Sequence, residues 1–387
     1  MKMVKMDLHI LNREIENRLI NKLVPNKVLV LIGPRRVGKT VLIQQILKKI
    51  DTPYLLLNGE DMAVQEQIAR RTVSHYKNVL QGKDLLVIDE AQAIPNIGAI
   101  LKLIVDSIEG LRIMVSGSSA FDIENRTGEP LTGRKNTFKL LALSENEFNQ
   151  VENVFEKKDH MHQRLVFGNY PELLKMKTDN EKTAYLNELV NSYLLKDILA
   201  FENIQSADKI LRLLRLIAFQ VGSEVSLQEL GNQLNMSKNT VEKYLDLLTK
   251  VYVIHKVEGF SRNLRKEVSK SSKWYFFDNG IRNILVANMN SIVLRDDVGK
   301  LWENYVISER LKHLNNTGQI KHTYFWRTYD RQEIDWIEEA DGNLSAFEIK
   351  WKASKKIKTP VAFAKGYPNA TFETITPENY LEWIVAE

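Results

Sequence analysis

The sequence predicts an α/β chain whose first part is a parallel sheet covered by helices. Three observations carry that reading. Candidate strands Val28–Ile32, Tyr54–Leu57, Leu85–Ile88 and Arg112–Val115 alternate with amphipathic stretches between residues 25 and 145, the pattern of strand–helix–strand units. The first strand runs into Gly33-Pro34-Arg35-Arg36-Val37-Gly38-Lys39-Thr40 and then a helical stretch from Val41 to Leu47. That is the strand–loop–helix setting of the G-x-x-x-x-G-K-S/T phosphate loop. The third strand ends in two carboxylates, Asp89 and Glu90.

Each residue type suits phosphate chemistry. Gly33 and Gly38 allow a tight turn whose N–H groups point inward, and the helix N-terminus adds partial positive charge. Lys39 reaches the β- and γ-phosphates, and the Thr40 hydroxyl ligates magnesium. Asp89 then holds the magnesium shell and Glu90 polarises the attacking water. ATP and Mg²⁺ are the expected ligands. After the fourth strand comes Ser116-Gly117-Ser118-Ser119, where a polar residue, Ser118 foremost, can sense the γ-phosphate; the alternative is a helix N-cap at Ser118 or Ser119. Leu131-Thr132-Gly133-Arg134 offers Arg134 as an arginine finger for a neighbouring subunit, or as a solvated surface cation.

The chain has 387 residues, of which 44% are apolar and 27% charged. That is an ordinary soluble composition with room for two or three domains. It contains no cysteine, which excludes disulfides, thiolate metal sites and cysteine nucleophiles. No apolar run approaches the ~18 residues of a membrane span, and no apolar stretch follows the basic N-terminus. A cytoplasmic protein without a membrane partner is expected. The net charge of +5 permits a polyanionic partner without requiring one.

Residues 146–222 read as a helical segment, punctuated by the turn Phe167-Gly168-Asn169-Tyr170-Pro171-Glu172. Over 223–296, Ser226-Leu227-Gln228-Glu229 is a capping box, Asn235-Met236 a turn, and Ser237 a cap for a helix from Lys238 to about Lys250. Two strand-like runs follow, Val251–Val257 and Trp274–Phe277. The basic segment between them, with Arg262, Arg265, Lys266, Lys270 and Lys273, reads as a wing. Residues 205–275 hold 12 Lys and Arg against 7 Asp and Glu, an excess equal to that of the whole chain. Lys238, Asn239, Thr240 and Lys243 are therefore candidate DNA-facing residues. The same fold with solvated lysines also serves protein contacts.

Residues 297–387 open with a helix from Val298 and continue in strands Thr323–Arg327, Glu333–Ile337 and Leu344–Lys350, with Gly342-Asn343 as a turn. Glu348 and Lys350, two apart, share a strand face. With Asp335 and a helix carboxylate they make a D…E-x-K constellation suited to Mg²⁺ or Mn²⁺. Cross-strand charge pairing accounts for the same pattern.

At these residues the chain resembles a large prokaryotic family of AAA-type ATPases that carry the domain of unknown function 4143. The resemblance rests on Gly33–Thr40, Leu85–Gln92, Val115–Ser119 and Leu131–Arg134. It continues through Tyr275–Asn283, Gly299–Val306, Trp326-Arg327, Glu333–Trp336 and Glu348–Lys350. It implies a P-loop parallel-sheet ATPase domain over 1–145 and the helical segment over 146–222. A winged-helix domain over 223–296 and a small α/β restriction-endonuclease-like domain over 297–387 complete the α/β architecture. It also implies a second metal site of the PD-(D/E)xK type at Glu303, Asp335, Glu348 and Lys350. The motifs together read as an ATP-hydrolysing protein that acts on or near DNA, and as a homo-oligomer or ring because AAA-type chemistry draws on a neighbour's arginine. The alternative is a nucleotide-gated regulatory switch whose winged helix binds DNA or protein, with an inactive nuclease-like domain. Ile334 stands where that motif has proline.

Overall fold

A computed structural model of the chain describes residues 11–118, 131, 133–153, 155–194, 207–262, 271–352 and 357–386. It divides into two compact units, 1–143 and 144–387.

The first unit is built on five strands: β1 (Val28–Ile32), β2 (Tyr54–Asn58), β3 (Leu85–Asp89), β4 (Arg112–Gly117) and β5 (Lys135–Lys139). Their order is β2-β3-β4-β1-β5, and every pairing is parallel. All five residues of β1 are buried, as expected of a central strand in a sheet covered on both faces. At the edge, β2 alternates exposed and half-buried residues. The strands expected from sequence are present, the second and third extended by one residue each and the fourth by two. The fifth was not anticipated. Lys135-Asn136-Thr137-Phe138-Lys139 buries only Phe138, so an edge strand with one inward residue leaves no hydrophobic run to read. Because all strands point the same way, β1, β3 and β4 end together at one rim, where open α/β sheets gather their ligands.

The second unit begins with helices, among them Lys157–Phe167, Asp179–Glu188 and Ala207–Phe219. Two further helices follow, Leu227–Leu234 and Lys238–Lys250. The Ser226 hydroxyl accepts from the Glu229 N–H, Asn235 turns the chain in the left-handed conformation, and Ser237 accepts from the Thr240 N–H. These local side-chain bonds satisfy orphan helix donors and so fix both helix starts.

Six strands form the second sheet: β6 (Ile254–Gly259), β7 (Ser272–Phe276), β8 (His322–Arg327), β9 (Glu333–Ala340), β10 (Asn343–Ile349) and β11 (Thr371–Ile375). The order is β11-β10-β9-β8-β6-β7. The β6–β7 hairpin, read from sequence as part of a winged helix, is thus continuous with the strands of the C-terminal region, through a parallel contact of Glu258 and Gly259 with Tyr324 and Phe325. The turn between β9 and β10 lies one residue earlier than expected. Asp341 and Gly342, with φ of 50° and 79°, form it, and Asn343 already pairs with Ala340. Two successive positive φ values match the twist of antiparallel strands. The helix Val298–Thr317 buries 13 of its 20 residues, polar ones included, so it runs through the unit rather than over it.

Candidate nucleotide site and carboxylate cluster

In the first unit the loop after β1 is shaped by its glycines. A Cβ on Gly33 would lie 2.0 Å from the Leu140 carbonyl oxygen, so only glycine lets the loop pass that backbone. Gly38, at φ 95°, starts the 11-residue helix Lys39–Lys49. Arg36 is exposed and left-handed at φ 65°, Pro34 and Arg35 are half-buried, and Val37 is buried. Lys39 is only 5% exposed, and its ammonium donates to the carbonyls of Gly33 and Pro34 at 3.1 and 3.0 Å.

β3 brings its carboxylates to the same rim. The Thr40 hydroxyl donates to Asp89 Oδ2 at 2.6 Å. This pair of hard oxygens beside a helix N-terminus and a buried lysine fits a magnesium nucleotide. Glu90 follows in the left-handed conformation, φ 50° and ψ 44°, which ends the strand. Gln92 Nε2 donates to Glu90 Oε2.

Two residues of this site were missed as functional candidates. Ser116, the fully buried fifth residue of β4, donates to Asp89 Oδ1 and accepts the Glu90 N–H at 3.0 Å. It fixes both acidic residues from the neighbouring strand. Ser118, the serine singled out from the sequence, is buried just past the strand, and Ser119 lies outside the described residues. Arg13 donates to the carbonyls of Val37 at 2.8 Å and Leu141 at 2.7 Å. It ties the phosphate loop to the chain that follows β5. No local motif marks an arginine 24 residues upstream of its partner; only the folded backbone brings them together. Removing a buried donor strands its acceptors at a cost of about 1–3 kcal/mol each. Ser116→Ala is accordingly expected to leave nucleotide affinity near wild type while lowering turnover about tenfold or more, as misplacement of a catalytic group does. ATP titration and steady-state hydrolysis measure both.

Arg134 lies at the other rim. Its carbonyl accepts the Val28 N–H at 2.8 Å, at the start of β1, so the strand's length, roughly 16 Å, separates it from the phosphate loop of its own chain. Its side chain pairs with Asp106 at 2.7 Å, both groups substantially exposed.

In the second unit, Lys238, Asn239 and Lys243 are exposed and line a cleft of about 590 Å³ with Lys256, Ser272 and Trp274. Thr240 is half-buried, its hydroxyl bonded to that of Ser237 at 2.8 Å. Glu242 and Asp246 line the same cleft, so the face alternates in charge. Arg265, Lys266 and Lys270 lie outside the described residues. Lys273 corrects the reading of a solvated basic wing: it is 2% exposed and ion-paired with Glu333. Its strand turns that side chain into the unit.

The carboxylates of the C-terminal region do converge. Lys350 Nζ bridges Asp335 Oδ2 at 3.2 Å and Glu348 Oε1 at 2.6 Å, well inside the roughly 8 Å beyond which two carboxylates cannot share an ion. The Ile349 N–H also donates to Asp335 Oδ2, at 2.9 Å. Glu303, from the long helix, accepts the Tyr275 hydroxyl at 2.6 Å. Burial pushes the Glu303 carboxyl up to about 7, with Asp335 adding to the effect and Lys273 opposing it. Burial and Asp335 likewise raise Glu348. Against burial, Asp335 and Glu348 hold Lys350 protonated, and Glu303, Asp335 and Glu333 do the same for Lys273. Among the described residues no group of three or more Asp, Glu or His is arranged to hold a metal ion.

Residues 25–149 match the family model described as AAA domain, and residues 298–376 match that of the domain of unknown function DUF4143. An AAA-domain match thus falls on the phosphate loop and its sheet, and a DUF4143 match on the C-terminal region. Residues 158–291 match a further domain of unknown function, DUF8612, which spans the helices and the β6–β7 hairpin. An uncharacterized protein of Mycobacterium tuberculosis is 26% identical over 349 residues, covering 89% of this chain and 75% of its own. An uncharacterized protein of Methanocaldococcus jannaschii is 26% identical over 348 residues, covering 85% and 75%. Among solved structures, a Walker-type ATPase of Pyrococcus abyssi is similar at 15% identity and a TM-score of 0.48, over 71% of this chain and 95% of that one. The Thermotoga maritima RuvB Holliday junction branch migration motor is similar at 17% identity and a TM-score of 0.29, over 64% and 86%. No helix among the described residues is long and apolar enough to cross a membrane.

Proposed function

We propose that this AAA-type chain binds and hydrolyses Mg·ATP and acts on DNA as a homo-oligomer. The observation that carries the proposal is the Thr40–Asp89 contact at 2.6 Å beside Glu90, with Ser116 bonded to both acidic residues. The loop from Gly33 to Thr40, with Arg35 and Arg36, cradles the phosphates through its N–H groups, and Lys39 exchanges its carbonyl partners for phosphate oxygens. Thr40 and Asp89 hold magnesium, which when bound supplies positive charge to the phosphate oxygens. Glu90 takes up the proton of the attacking water, and Gln92 orients Glu90. Ser118 contacts the γ-phosphate. Arg134 serves a neighbour's site, since its own lies a strand length away. Releasing the exposed Asp106 pair for that purpose costs about 0–1 kcal/mol.

DNA contact is assigned to Lys238, Asn239, Thr240 and Lys243, on the helix capped by Ser237. The alternation of Glu242 and Asp246 with these lysines favours a second reading. In it the chain is a nucleotide-gated regulator whose helix pair touches protein.

Hydrolysis measured with and without single-stranded, duplex and branched DNA separates the two. A DNA-acting ATPase is expected to be stimulated, with DNA affinity falling steeply as salt rises. Slow turnover, unaltered by any DNA, would move the helix pair to the regulator. The same assay tests Arg134. Specific activity is expected to rise with protein concentration, and Arg134→Ala is expected to lose turnover while retaining ATP binding.

A further inference from the structure

The carboxylate cluster of the second unit already contains its cations. Four acidic side chains meet there: Glu303 from the helix Val298–Thr317, Glu333 and Asp335 from β9, and Glu348 from β10. Two ammonium groups lie among them. Lys273 enters from β7, 2% exposed, paired with Glu333 and 5.2 Å from the centre of the Phe325 ring. Lys350 bridges Asp335 and Glu348.

The inner oxygens are also occupied by hydrogen-bond donors. Asp335 Oδ2 accepts both the Ile349 N–H and the Lys350 ammonium, and Glu303 Oε1 accepts the Tyr275 hydroxyl. An oxygen taking two N–H bonds has both lone pairs in use. A divalent ion at Asp335 Oδ2 would have to expel Lys350, and one at Oδ1 would still lie beside the charges of Lys350 and Lys273. Lys273 cannot retreat to solvent, because its strand and the aromatic ring enclose it. Leaving four clustered carboxylates without it would be costly, as a buried charge stripped of its partner is.

We propose that Lys273 and Lys350 are the resident cations of this cluster, and that in this chain it binds no divalent metal. The PD-(D/E)xK-like residues then form an internal ion-pair network that joins β7, β9, β10 and the long helix. The proposal does not rest on the ATP reading, and its readout is separate from hydrolysis.

Mn²⁺ binding to the full-length, nucleotide-free chain tests it, followed by electron paramagnetic resonance in wild type, Asp335→Asn and Lys273→Met. The wild-type and Asp335→Asn isotherms are expected to coincide, so any Mn²⁺ taken up at the phosphate loop cancels. Lys273→Met is expected to gain a site, tighter than any in wild type by about tenfold or more, the effect of removing one nearby like charge. That site should vanish in Lys273→Met/Asp335→Asn. A wild-type Mn²⁺ site lost in Asp335→Asn would overturn the proposal, as would a folded Lys273→Met that gains none. If Lys273→Met does not fold, the comparison of wild type with Asp335→Asn still decides.

Discussion

Glu90→Gln is expected to keep ATP binding and to slow hydrolysis by about two to four orders of magnitude, the contribution of a positioned general base. The substitution preserves size and one oxygen acceptor but removes the ability to take a proton. Binding should survive because the phosphate contacts belong to other residues, Lys39 and the loop N–H groups. The left-handed backbone at Glu90 and the Ser116 hydroxyl on its N–H are untouched by a side-chain change, so the variant should hold the same geometry. Single-turnover hydrolysis alongside equilibrium ATP binding is the measurement. Full activity would remove Glu90 from the role of base. Lys39→Ala, in contrast, should lose binding itself, because the phosphates lose their main point charge. The two variants together separate holding the nucleotide from cleaving it.

The largest expected effect on stability is at Arg310, a residue that no motif singles out. This residue is 1% exposed, pairs with both oxygens of Glu338 at 2.7 and 2.8 Å, and donates to the carbonyls of Trp383 at 3.1 Å and Ile384 at 2.8 Å. It joins the long helix to β9 and to the C-terminal helix Tyr380–Val385. Arg310→Ala is expected to destabilise the second unit by about 3–5 kcal/mol, the cost of breaking a buried ion pair from one side. Lys321 and Trp336, which also contact Glu338, hold the cost toward the lower end. The exposed pair Asp246–Lys250, at 2.8 Å, is the internal comparison: removing Lys250 should cost about 0–1 kcal/mol. Thermal denaturation of the two variants should therefore differ by several degrees. Equal transitions would mean the network around Arg310 contributes little beyond packing.

The readable parts of this chain are those whose cause is local. β1 is a run of five apolar residues bounded by a glycine loop, and the helix from Lys238 begins at a serine whose hydroxyl caps it three residues on. The C-terminal strands announce themselves by alternation, which puts Glu348 and Lys350 on one face. The misplaced turn at Asp341-Gly342 was a one-residue error. Gly342 pointed to a turn, but it did not say whether the residue before it or after it was the other member.

What the sequence by itself determined was the α/β class, the phosphate loop on a parallel sheet, and the residues Thr40, Asp89 and Glu90 that end at one rim. Strand direction and backbone sterics act over a few residues and are written there. Tertiary structure alone decided that Ser116 braces both acidic residues, that Arg13 grips the loop, that the β6–β7 hairpin extends the C-terminal sheet, and that Lys273 turns inward. Each depends on segments distant in sequence becoming neighbours. A lysine in a basic stretch reads as solvated until the carboxylates that hold it, from β9 and the long helix, are folded around it. The desolvation that makes such a pairing decisive exists only in the packed interior.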